Sequence, residues 1–418
     1  MTNKIFMQEF LKNLVAIDTT AKPPRDNAPF GLELKKALFL CLDIGKSLGF
    51  ETFNYDNFVG EIVLKGENEN DEFAILCHID TVPFGSLWTK NPLGEIEGDK
   101  FYGRGTVDDK GALSAVIFAL KELKDKGFKP KKTIRVIIGL DEETGEKSIE
   151  EYKKVRSLPK VGISPDADFP AIYAEKGIYH FEFRYKVEND NILSLVGGSA
   201  INMVCDKVEL IEKVVNEKRA IDLGLIVQED KTISLGKSAH GSTPHLGKNA
   251  LVPLLKYLGL NNIEEELFCD KLKLKSLCDK TGDTTLNVGN VKIENGEMVL
   301  GVDIRLPATI TSEDLYDRLN KGSFKYKLIS HKPPLYTDEH DPLIQSLEKA
   351  YEKVTGKREK AIAIGGGTYA RTLEKGVATG AFFIESGTSP HMEDEFITFT
   401  DLNKLFNFFV IALKDICF

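Results

Sequence analysis

Several short stretches of this chain carry imidazole or carboxylate groups where a strand end or tight loop could present them together. His78 and Asp80 form an HxD pair directly after the apolar run FAILC. In extended backbone alternate side chains point the same way, so both can face one site. Asp108 and Asp109 lie in FYGRGTVDDKG at the mouth of a helix starting near Gly111, where carboxylates equally suit the positive end of the helix dipole. In DEETGE, Asp141, Glu142 and Glu143 close the very apolar TIRVIIGL; a solvated acidic loop has this composition, but like charges packed together are costly without a cation. Asp166 in SPDADFP and His391 in GTSPHMEDEF follow further apolar runs, so five strand ends deliver His or carboxylate groups. Hard oxygen donors with two imidazoles suit zinc, manganese or cobalt, and the chemistry open to such a cluster is cation binding.

The elements that must position these groups read from their period. Helical stretches fall near 7–17 and 32–47, and EIVL, FAILC and TIRVIIGL read as strands. The clearest helix begins near Gly111, with Leu113, Val116, Ile117, Leu120 and Leu123 on one stripe and Gly127 as its stop. Strands alternating with helices predict an α/β fold, a mainly central mixed sheet flanked by helices, with reactive groups beyond the strand C-termini. Past residue 180, HFEFRYKVEND and MVLGVDIRL read as strands and LIEKVVNE as a helix, an α+β pattern. From Pro333 the α/β pattern returns, with a helix through LIQSLEKAYEKV, a strand at ATGAFFIE and a closing helix from Asp401 to about Ile416. The expected organisation is a discontinuous domain, 1–180 with 334–418, interrupted by an inserted α+β domain at 181–333.

Composition narrows the field. Among 418 residues, 42% are hydrophobic and 28% charged, which excludes collagen-like and disordered chains. Sixty-four acids against 55 Lys plus Arg give a net charge of −9, without the basic footprint of a nucleic-acid binder. The six cysteines form no CxxC pair, so neither a thiolate zinc site nor a disulfide framework is expected, and a reducing cytosol fits. MTNKIFMQEFLKNLVAI lacks a small-residue cleavage site and no segment approaches 18 apolar residues, so neither export nor membrane insertion is expected.

The motifs HIDTVP, NPLGEIEGDKFYGRGTVDDKG, DEETG, SPDADFP with AEKG, SAHGSTPH, GGGTYAR and GTSPH span nearly the whole chain. Together they resemble the co-catalytic metallopeptidases that include the aminoacylases, carboxypeptidase G, succinyl-diaminopimelate desuccinylase and the PepV-type bacterial dipeptidases. SPDADFPAIYAEKG and GGGTYAR look most like the dipeptidase branch. The resemblance implies a zinc-peptidase-like catalytic domain with an inserted lid, and two divalent metal ions, zinc first, with manganese or cobalt as alternatives. By the same resemblance His78 binds one ion and His391 the other, Asp108 bridges both, and Glu143 and Asp166 each complete one shell. Asp80 would orient His78, and Glu142 would be the general base. Two divalent ions, three ligand carboxylates and one bridging hydroxide leave the centre near neutral.

In the lid, the resemblance assigns His240 of SLGKSAHGSTPH to the developing oxyanion, and Asn202 and Arg305 to holding substrate, the arginine by a grip on a free carboxylate. His245 receives no role. The triple glycine of GGGTYAR lacks the GxxxxGK[ST] phosphate pattern, so close approach of backbone to substrate is the reading, with Thr368 and Arg371 lining the pocket or binding the carboxylate end; a plain tight turn has the same sequence. The expected function is a metal-dependent dipeptidase acting on small dipeptides, with an N-acyl-amino-acid amidohydrolase as the alternative and a non-catalytic metal carrier disfavoured by Glu142. A monomer is favoured over a homodimer, with no nucleic-acid or membrane partner.

Overall fold

The computed structural model describes residues 2–418. The chain divides into two units. The first runs to Tyr173 and resumes through Tyr336–Ile362 and Gly367–Phe418; the second is Ala174–Leu335 with Ala363–Gly366. The chain therefore enters the second unit twice.

The first unit is built on a mixed sheet with helices against it. Six strands follow one another in the order Glu51–Tyr55, Val59–Leu64, Lys132–Gly139, Asn68–His78, Val161–Ala167 and Lys375–Gly380. The last four are mutually parallel, and the first two add antiparallel strands at one edge. Phe73 to Cys77 are wholly buried, as a parallel strand covered on both faces requires. Helix Lys110–Asp125 buries Leu113, Val116, Ile117, Leu120 and Leu123; Gly127 takes a left-handed φ of 78° just beyond it, as expected of a stop. Asn3–Val15 and Phe399–Cys417 pack against this helix.

One strand starts earlier than its sequence indicates. The ordered strand is Lys375–Gly380 rather than the run through AFFIE, because its parallel partner Val161–Ala167 offers a ladder only from Lys375↔Val161 to Gly380↔Ala167. The apolar residues after Gly380 turn into a short 3₁₀ segment, Ile384–Ser386.

The second unit carries an eight-stranded antiparallel sheet in the order Ile226–Gln228, Lys231–Leu235, Lys207–Glu212, Ile192–Gly197, Thr285–Glu294, Glu297–Leu306, Gly177–Lys186 and Lys325–Lys332. Its core side chains pack with Leu251, Leu254, Leu255, Ile263, Leu315 and Leu319 from three helices. The helix expected through LIEKVVNE does not form. Lys207–Glu212 is a strand, and only Glu217–Asp222 is helical. Val208, Leu210 and Glu212 alternate inward, and strand partners on both sides complete its ladder, so tertiary pairing overrides a local pattern that fitted both periods. Cys41, Cys77, Cys205 and Cys417 are buried free thiols, and Cys269 and Cys278 are exposed ones. Among the described residues no helix is long and apolar enough to cross a membrane.

Candidate metal centre

Adjacent parallel strands of the first unit bring the predicted ligands to one edge of the sheet. His78 ends Asn68–His78, Glu142 and Glu143 follow Lys132–Gly139, and Asp166 sits in Val161–Ala167. The other two come from loops, not from strand ends: Asp108 lies just before helix Lys110–Asp125, and His391 in the segment preceding strand Phe396–Thr398.

Asp108 stands between the two imidazoles. Its Oδ1 is 3.0 Å from His78 Nε2, and its Oδ2 is 2.9 Å from His391 Nε2. His78 Nε2 is also 3.6 Å from Asp166 Oδ2, and His391 Nε2 is 2.9 Å from Glu143 Oε1. Two groups result, His78 with Glu142 and Asp166, and Asp108 with Glu143 and His391, each with its ligand atoms within 4.8 Å of one another. Glu142 is therefore placed where it could serve as a ligand or as a base.

The electrostatics of this cluster call for cations. Burial, then the Asp166 charge, push the Glu142 carboxyl well above its ordinary value. Burial and the Asp108 charge raise Asp166 to about 7. Burial also works against ionised Asp108, but the His391 and His78 imidazoles beside it outweigh it and hold the group well below the usual carboxylate range. His391 loses stability as a cation through burial, yet its bonds to Asp108 and Glu143 raise it to about 11. Crowded buried acids keep protons that divalent ions would replace. His78 Nε2 is buried with no directed hydrogen-bond partner, an orphan nitrogen that a metal ion satisfies. Donor set and orphan atom both fit a pair of divalent ions.

The remaining polar groups fix this arrangement. Asp80 accepts the backbone N–H of Glu142 at Oδ1 and of Glu143 at Oδ2, at 3.0 and 3.1 Å. His78 Nδ1 lies 3.1 Å from the Asp80 carbonyl oxygen and 3.4 Å from its carboxylate, so donation from Nδ1 leaves the Nε2 lone pair available to a cation. Asp109 accepts the His78 backbone N–H at 3.2 Å, and the Asp108–Asp109 peptide is cis. Asp141 turns away from the cluster and accepts the N–H groups of Lys147 and Ser148 at the start of a helix.

The profile of the peptidase family M20/M25/M40 matches residues 74–415. The chain belongs to that family. A Staphylococcus aureus relative carrying the name "putative dipeptidase" is 33% identical over 456 aligned residues, covering 97% of this chain and 96% of the relative. Human carnosine dipeptidase 1 shares the fold with a TM-score of 0.62 at 17% identity, covering 98% of this chain and 97% of its own. A Bacillus subtilis protein described as a dinuclear metal-binding peptidase of family M20 aligns at TM-score 0.55 and 12% identity, over 99% and 98% of the two chains. This M20 protein is accordingly an enzyme, a metal-dependent hydrolase of peptide or amide bonds.

In this M20 enzyme the residues around the centre include a pair that sequence reading missed. Buried Arg104 donates to Glu395 Oε2 at 2.8 Å and to the Met392 carbonyl at 3.0 Å, while Glu395 Oε1 accepts the Val107 N–H at 2.9 Å. The pair clamps the loop bearing His391 to the turn bearing Asp108. Its signal was hidden, since Glu395 reads as one more acid in the solvated-looking MEDE. His391 itself has a φ of 64°, a left-handed conformation costly for a non-glycine residue, and the Arg104 clamp helps to hold it.

The residues expected to hold substrate are divided between the two units. In the first, Thr368 is buried, and its hydroxyl accepts the Ala370 N–H at 3.1 Å, capping the 3₁₀ turn Tyr369–Thr372. Arg371 is buried too, its guanidinium lying so close over Gly367 that a Cβ there would meet Nη2 at 1.5 Å. In the second, Asn202, His240 and Arg305 gather in one region. Met203 bridges His240, and Gly241 donates to the Asn202 carbonyl at 2.7 Å. The Ser242 N–H points at His240 Nδ1 from 3.2 Å; a backbone N–H can only donate, so the neutral ring carries its hydrogen on Nε2. Arg305 directs Nε and Nη2 to Asp303, both at 2.8 Å, and Nη1 to the Gly365 carbonyl at 3.0 Å. His245 lies in a short 3₁₀ turn, Pro244–Leu246.

Proposed function

We propose that this enzyme is a dipeptidase with a dinuclear centre. The observation that carries the reading is Asp108, with one carboxylate oxygen turned to each of two imidazoles that have their own acidic companions. His78 and Asp166 would hold one divalent ion, His391 and Glu143 the other, and Asp108 both, with zinc the first candidate and manganese or cobalt also compatible. When bound, such ions polarise a carbonyl and make a coordinated water acidic.

The chain's own groups supply the rest. Glu142, held at the cluster by the bond of its backbone N–H to Asp80, takes the proton of the attacking water at its carboxylate and returns it to the leaving nitrogen. Asp80 keeps Glu142 and His78 in register through the bonds described above. His240, with its hydrogen on Nε2, is assigned to the developing oxyanion. Asn202 and Arg305, with Thr368 and Arg371, are assigned to substrate, the arginines to a free carboxylate. The 33% identity, over nearly the whole of both chains, to a relative named "putative dipeptidase" favours dipeptides over N-acyl amino acids, and a monomer is the proposed working form.

Purified enzyme reconstituted with zinc, manganese or cobalt and offered free dipeptides and N-acyl amino acids tests this reading. Hydrolysis of dipeptides, abolished by chelation and restored by metal, is expected. Turnover of acyl amino acids without turnover of dipeptides would replace it with the amidohydrolase.

A further inference from the structure

The second unit contains two buried polar side chains that touch none of the metal ligands, yet organise all three residues assigned there to substrate. Asn287 and Asp303 face each other across neighbouring antiparallel strands. Asn287, 2% exposed, donates from Nδ2 to the carbonyls of Ile201 at 3.1 Å and Met203 at 2.9 Å, bracketing Asn202 from both sides. Its Oδ1 is buried without a partner. A core position that accepts an unsatisfied oxygen has a use for the amide donors.

Asp303 is fully buried and grips Arg305 side-on with both oxygens. The third bond of Arg305 goes to Gly365, so three of the five N–H donors of a guanidinium are spent and two remain. The turn after His240 is pressed onto the same carboxylate. A Cβ on Gly241 would lie 2.5 Å from Asp303 Oδ2 and 2.9 Å from the Asn202 carbonyl oxygen, and one on Gly365 would lie 2.9 Å from Ser242 Cβ. The row continues through His180, whose Nε2 is 3.8 Å from Asp303 Oδ1 and whose Nδ1 is 3.0 Å from Ser330 Oγ.

We propose that Asn287 and Asp303 are positioning residues that hold Asn202, His240 and Arg305 as one preformed substrate clamp. Asp303 aims the unspent Arg305 donors at a carboxylate, and Asn287 fixes the Asn202 segment that carries the His240 turn. Preorganisation of this kind acts through geometry, and small displacements of a binding group are expensive in rate. The inference rests on the dipeptidase reading, which assigns substrate to those three residues.

The test is steady-state kinetics of metal-loaded enzyme on a free dipeptide and on the same dipeptide C-terminally amidated, with metal content and melting temperature measured for each variant. Asp303→Asn is expected to raise KM for the free dipeptide about tenfold and to change KM for the amidated substrate, which lacks the carboxylate, much less; Asp303→Glu should restore part of the loss. Asn287→Leu is expected to lower kcat about tenfold with little change in KM, and Asn287→Ala is read in its place if that variant does not fold. Wild-type kinetics in both Asp303→Asn and Asn287→Leu, while His240→Ala and Arg305→Ala are impaired, overturns the inference alone. Wild-type kinetics in His240→Ala and Arg305→Ala overturns the underlying assignment and the inference with it.

Discussion

The two carboxylate oxygens of Asp80 are divided between consecutive backbone N–H groups, Oδ1 to Glu142 and Oδ2 to Glu143, so one side chain sets the position of both the proposed base and a proposed ligand. The same residue lies against His78 Nδ1. Asp80→Ala should therefore damage metal binding and turnover together. Loss of such an outer partner typically lowers metal affinity about 10–100-fold; titration of the metal-free variant with a competing chelator reads the shift.

Glu142→Gln separates proton transfer from ligation. The amide keeps the size of the side chain and removes its basicity, so kcat should fall by about 10²–10⁴ with both ions still bound, as counted by elemental analysis. Loss of an ion in this variant would make Glu142 a ligand instead.

Metal affinity should depend on pH through Asp166. In the ion-free protein this group, raised to about 7 by burial and by Asp108, is protonated below that pH and ionised above it. Ligation requires the carboxylate, so below pH 7 an incoming ion must expel the proton. Affinity should weaken as pH falls from 8 to 6, with more protons released per ion at pH 6 than at pH 8. Calorimetry in buffers of different ionisation enthalpy measures that release.

Stability of the first unit should rest partly on a buried ion network away from the centre. Arg135, 1% exposed, bonds Glu61 and Tyr152, reaches Glu72 Oε2 at 2.5 Å and donates to the Ser157 carbonyl at 3.1 Å. Arg135→Ala leaves the fully buried Glu61 without its main partner and should cost about 3–5 kcal/mol in denaturant unfolding. Replacing Glu61 by Leu in the same chain should recover much of that loss, because the uncompensated charge is then gone.

Much of the centre was legible because its chemistry is concentrated in short motifs. His78, Glu142, Glu143 and Asp166 sit at or just past short apolar runs that read as buried strands, and the stripe from Leu113 to Leu123 identified the helix behind Asp108. What was hidden depended on long-range geometry. Arg104 and Glu395 are nearly three hundred residues apart, and neither flanking sequence hints that they meet. Lys207–Glu212 carries apolar residues that satisfy a helix or a strand, and neighbouring strands decide between them. Arg305 was legible as a polar group on a strand, but not the Asp303 beside it as the acid that claims two of its donors.

The short return of Ala363–Gly366 to the second unit bears on how this protein can be taken apart. Residues 174–335 look like a self-contained insert, and excising them would cut at only one pair of neighbouring chain ends. Such a fragment would lack the Gly365 oxygen that receives Arg305 Nη1, and the Ile364 oxygen that receives the Lys176 N–H. A transplant onto another scaffold would have to bring this tetrapeptide along as a separate splint, or the guanidinium would keep only its two bonds to Asp303.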